Sequence, residues 1–78
     1  MTPERINEIL DQLNDYEARD WDAATEPHNI WQDVILNLDE YDEAATDQID
    51  RGTNDRFIAG DTMFTYSMQD SHWFTEAP

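Results

Sequence analysis

Residues 56–68 read RFIAGDTMFTYSM. Arg56 to Ala59 and Thr62 to Met68 are short runs rich in β-branched and aromatic side chains, which suit a pleated, half-buried surface. Between them, Gly60-Asp61 is a glycine-first pair of the kind that closes a two-residue hairpin. Period-two alternation places Thr62, Phe64, Tyr66 and Met68 on one face of the second strand. Gln69, Asp70 and Ser71 predict a further turn, followed by a short third strand over His72 to Thr75. Trp73 and Phe74 are consecutive, so they face opposite ways, and the outward ring is a candidate anchor for a partner.

Working outward from this meander, the preceding residues read as helical. Thr2 is a capping residue, Pro3 suits the first helical position, and Glu4 favours the positive end of the helix dipole. Ile6, Ile9, Leu10 and Leu13 recur at helical spacing, which predicts a first helix over 3–16. The chain is less regular from Asn14 to Asn29, with Trp21 as an apolar anchor and Pro27 as punctuation. A second helix is expected over 27–51, carrying Ile30, Trp31, Val34, Ile35, Leu38, Tyr41, Ala45 and Ile49, with Gly52 as its stop. It is either continuous or broken near Asn37 to Asp39. Leu36 falls on its polar side, the mark of a break or of an exposed contact. The expected fold is therefore α+β, two amphipathic helices packed on a small antiparallel hairpin or three-stranded meander, in a single domain over 1–78.

The 78 residues include no cysteine, so neither disulfides nor thiolate–metal bonds hold the fold together. Stability has to come from three Trp, three Tyr, three Phe and the aliphatic residues, a content that separates the chain from disordered acidic tails. No run approaches the roughly 20 apolar residues of a membrane span. The start, MTPERINEIL, lacks the basic-then-apolar pattern of a signal peptide, so the cytoplasm is the expected compartment.

Charge dominates the composition. Nineteen acidic residues face four arginines and no lysine, a formal net charge of −15. Folding crowds these carboxylates together and opposes the compact state. Direct nucleic-acid binding is disfavoured, because phosphate contacts need Lys and Arg.

The acids are also ordered. At about 100° per residue, Glu4, Glu8, Asp11 and Asp15 line the side of the first helix opposite Ile6, Ile9, Leu10 and Leu13. In the second helix Asp39, Glu43, Asp47 and Asp50 follow nearly the same spacing, flanked by Asp33 and Glu40. Like charges one turn apart cost about 0.2–0.5 kcal/mol per pair, and ordinary surface helices avoid this by interposing Lys or Arg. A row of anions on a folded scaffold resembles a nucleic-acid backbone electrostatically. Arginines that normally grip phosphate would hold it by charge-assisted, bidentate hydrogen bonds. These ten residues are the candidate partner-binding set, and the expected partner is a positively charged nucleic-acid-binding protein or complex.

In size, charge and pattern, the helices from Glu4 to Asp15 and from Asp33 to Asp50 resemble small acidic DNA-mimic proteins of phages and mobile elements, among them anti-CRISPR and anti-restriction proteins. The resemblance implies an inhibitor that occupies a DNA-binding groove, with a CRISPR effector as the first target and a restriction enzyme or nucleoid protein next. It implies no catalytic residue, metal or cofactor.

Other chemistry is weakly signalled. His28 and His72 lack a nucleophile or ligand motif and read as capping, surface or packing residues. Asp47 to Asp55 (DQIDRGTND) has acids around a glycine but not the alternating ligands and closing glutamate of a calcium loop. No acid stands out as sequestered among apolar residues in the way a raised pKa for hydrolysis requires. Two further readings remain: an acidic interaction module of a salt-adapted organism, and a small carboxylate-dependent hydrolase.

Overall fold

The aromatic side chains of the meander are the centre of the fold. Phe57 and Phe64 sit directly opposite each other on neighbouring strands and stack with centroids 5.0 Å apart and planes within 10°. Trp73 meets Phe57 edge-on at 5.7 Å, and Trp31 does the same from the helical side at 6.0 Å. These contacts belong to a computed structural model that describes residues 1–19, 27–49 and 56–76.

Three antiparallel strands, β1 (Arg56–Ala59), β2 (Thr62–Ser67) and β3 (His72–Glu76), lie in the order β1-β2-β3. Ala59 pairs with Thr62, leaving Gly60-Asp61 as a two-residue connection. Gly60 has φ 61, a conformation most side chains resist. The second connection ends on Ser71, which also has positive φ, 56, and whose N–H reaches the Ser67 carbonyl at 2.7 Å. Phe64 is buried and Tyr66 half-buried on the inner face, but Met68 lies past the end of β2 and is 81% exposed. The alternation was cut short there because the chain turns at 68–71.

Helix α1 (Pro3–Arg19) starts as its sequence directs. The Arg5 N–H donates to Thr2 Oγ1 at 3.2 Å, satisfying one of the amides that an N-terminus leaves unpaired. Ile9 and Leu13 are fully buried, with Ile6 and Leu10 packed beside them. The helix rests against β3 and the next helix.

The stretch expected to form a second helix over 27–51 is divided. Helix α2 (Pro27–Asp33) is followed by a single 3₁₀ turn over Ile35–Asn37, then a turn, then helix α3 (Glu43–Ile49). Two features mark the break. Leu38 takes an extended conformation, φ −72 and ψ 132, and is buried at 8% exposure while Leu36 is left 53% exposed. Asn37 folds its side-chain amide back onto the Gln32 and Asp33 carbonyls at 3.1 and 3.2 Å, taking up the free end of α2. Size argues the same way: a continuous 25-residue helix would be about 37 Å long, whereas the molecule measures 29 × 29 × 24 Å.

The break brings residues 40–46 alongside β1. Tyr41 forms a bridge with Ala59, the Asp42 N–H donates to the Ile58 carbonyl at 2.9 Å, and the Gly60 N–H donates to the Glu40 carbonyl at 2.8 Å. Asp42 then caps α3, accepting from the Ala45 N–H at 3.0 Å.

Candidate protein-binding surface

The four acids of α1 remain in one row. Glu4, Glu8, Asp11 and Asp15 are all exposed, while Ile9 and Leu13 of the same helix are buried. The last acid lies eleven positions beyond the first, an axial span of about 16 Å. One strand of duplex DNA advances about 3.4 Å per phosphate, so the row is sparser than a phosphate strand but comparable in reach to a few of its charges.

Among the described residues, Arg5 brings a cation to this surface. Arg5 points its guanidinium at Glu40, with Nε 2.6 Å from Oε2 and Nη2 2.9 Å from Oε1, and a third contact reaches Glu8 at 3.4 Å. The fork-to-fork geometry is the strong form of a carboxylate–arginine pair. Hydrogen bonding to Arg5 holds the Glu40 carboxyl below its ordinary value, and the same bonds raise the guanidinium further. Glu40 is half-buried, so its charge is spent within the molecule. The pair pins the 39–42 turn to α1.

The second row, Asp39 to Asp50 on one helix, is not what the chain forms. Asp39 lies in the turn before α3, exposed but outside any helix. Glu43 and Asp47 do share an exposed face of α3. Asp50 lies outside the described residues. Asp33 ends α2 and accepts a hydrogen bond from the Tyr16 hydroxyl at 2.6 Å, which ties α2 to α1. Of the nine expected residues that are described, tertiary structure thus brings Glu8 and Glu40 together around Arg5, and leaves the others on α1, α2, the 39–42 turn and α3.

Sequence reasoning did not single out Arg5, Asn14 or Thr46. Asn14 bonds to the Trp73 main chain, and buried Thr46 accepts from the Ile58 N–H at 2.9 Å. The only available signal was that each interrupts a charged or apolar pattern.

Among the described residues, no three His, Cys, Asp or Glu side chains group in a way that suits a metal ion. The 47–55 segment considered for calcium lies mostly outside them. His72 is exposed with Nδ1 3.4 Å from the Asp70 carbonyl. Trp73 is the inward aromatic at 2% exposure, and Phe74 faces out and is half-buried. No described helix is long and apolar enough to cross a membrane. Comparison with protein-family models, with curated proteins and with solved structures finds no match to this chain.

Proposed function

We propose that this protein is a non-enzymatic inhibitor that occupies a basic, DNA-binding surface of a host defence complex, with a CRISPR effector as the first target to test. The reading is carried by the α1 row: four exposed carboxylates on one side of a helix that is fastened to the body through the Arg5–Glu40 pair, the Tyr16–Asp33 bond and Asn14. Rigid anions need little ordering when they bind, so less of the attraction is lost to entropy. The exposed acids also raise encounter rates with a cationic partner, most at low ionic strength.

Pull-down from a host lysate names the partner, and competition with DNA defines the surface. The fourfold variant Glu4→Gln, Glu8→Gln, Asp11→Asn, Asp15→Asn is expected to keep the fold and to weaken partner binding at least tenfold, with a flatter salt dependence. Glu43→Gln with Asp47→Asn, which removes two charges, is the control on α3, compared with Asp11→Asn and Asp15→Asn alone as the two-charge variant of α1. Equal loss from both sets, or none from the α1 set, removes α1 as the binding element.

A second reading has its own support. Exposed acids also occur at Asp39, Asp42, Glu43, Asp47, Asp61 and Asp70, on several faces of the chain's elements, as an acidic module of a salt-adapted organism would carry them. Such a module would fold only at high salt.

A further inference from the structure

An antiparallel sheet has two edges, each offering main-chain N–H and C=O groups to another strand. The outer edge of β1 is taken by the chain itself. Residues 40–46 supply an N–H to the Ile58 carbonyl, a hydroxyl oxygen to the Ile58 N–H and a carbonyl to the Gly60 N–H.

The outer edge of β3 is treated differently. Trp73 lies opposite Tyr66, yet its N–H donates to Asn14 Oδ1 at 2.7 Å, and Asn14 Nδ2 donates to its carbonyl at 3.4 Å. Both main-chain groups of Trp73 therefore face away from β2, and by alternation so do those of Thr75. A carboxamide carries an acceptor and a donor side by side, as a strand residue does. Asn14 thus stands where the first residue of a neighbouring strand would stand. Helix formation does not ask for it, since Asn is among the weaker helix formers.

The strand it covers is the kind that needs covering. Residues 71–75, SHWFT, hold no Asp, Glu, Lys, Arg, Pro or Gly and are rich in β-prone side chains; the acids of this stretch, Asp70 and Glu76, stand only at its two ends. Segments of that composition on an open edge pair with copies of themselves. The rest of this molecule is kept apart by like charge, but at physiological ionic strength that repulsion fades beyond roughly 8 Å. A two-fold antiparallel pairing of β3 with itself is self-complementary and places the uncharged run against its own copy.

We propose that Asn14 is an edge lock, closing β3 against pairing with β3 of a second copy of this chain. The inference stands independently of the inhibitor reading.

The test is sedimentation of wild type and Asn14→Ala over a wide range of concentration at physiological salt. Wild type is expected to remain monomeric, while Asn14→Ala forms dimers or larger species. Exchange of the Trp73 amide, measured at low concentration, is expected to be several-fold faster in the variant. Adding Thr75→Pro removes an outward-facing N–H without touching the β2 pairing, and is expected to return Asn14→Ala to the monomer. A folded, monomeric Asn14→Ala protein overturns the proposal, as does a double variant that still associates. Sucrose, which favours compact states, is included where the variant is marginal. An Asn14→Ala chain that fails to fold even then also overturns it, since the residue would be required for folding rather than for closing an edge.

Discussion

Thr46 joins two elements through one hydroxyl. Its Oγ1 donates to the Asp42 carbonyl at 2.7 Å and accepts from the Ile58 N–H at 2.9 Å, in a site that is 4% exposed. Thr46→Val keeps the shape and strands a buried amide, which costs about 1–3 kcal/mol. In a domain this small each kcal/mol lowers Tm by roughly 4–8 °C. Thr46→Ser keeps the hydroxyl and is expected to lose clearly less; equal losses in thermal denaturation would show that the hydroxyl contributes nothing. Glu40 gives a pH signature. Its carboxyl is held below the ordinary value of 4.5 by Arg5, so its folded pKa lies below its unfolded one. The stability it supplies is therefore complete above the ordinary value and disappears as pH falls through the folded value. The Tm difference between wild type and Glu40→Gln is expected to be constant from neutral pH to about pH 5 and to close below that. Acid that relieves the net charge acts on both proteins alike and cancels. A difference that grows in acid contradicts the assignment.

The divided second helix holds two leucines of unequal weight. Leu38, extended and buried, fills the core beside Val34 and Ile35, whereas Leu36 points outward. Leu38→Ala is expected to cost about 2–5 kcal/mol and Leu36→Glu no more than about 0.5 kcal/mol, as read by chemical denaturation. A continuous helix would give the same contrast, because Leu38 shares the face of Ile30 and Val34 there as well, so the test reads core packing and not the break. Helical periodicity alone could not decide this. The phase of Ile30, Val34, Leu38, Tyr41 and Ala45 holds through the break, because the same residues must reach one core whether or not the backbone between them is helical. By contrast α1 and the hairpin were legible, since a cap, a proline at the first position and a glycine-first turn are local signals whose geometry needs no distant partner.

The overall charge of −15 acts over the entire protein. Its longest dimensions are 29 Å, and the screening length is about 30 Å at 0.01 M salt but about 8 Å at 0.15 M. In dilute buffer every carboxylate therefore repels every other, and near physiological salt only neighbours do. Wild type is expected to be folded in dilute buffer, with Tm rising with added NaCl and most of the rise complete by physiological strength. A chain that is unfolded in dilute buffer and folds only in molar salt would favour the salt-adapted reading over the inhibitor. This comparison by circular dichroism is also the least demanding of the functional tests.

Much of the candidate surface was readable from residue order, because a helix with one apolar side fixes where its other side points. That determined α1 and its row, the hairpin at Gly60-Asp61, the α+β composition and the strong negative charge. Tertiary structure alone decided that Glu40 is held by Arg5, 35 positions away, that Asp39 leaves the row, and that Asn14 and Thr46 serve strand edges remote in sequence. Each of these depends on which main-chain groups a folded sheet leaves open and which side chain lies within hydrogen-bond reach of them. Periodicity reports the direction in which a residue faces, and it carries no record of what it will meet there.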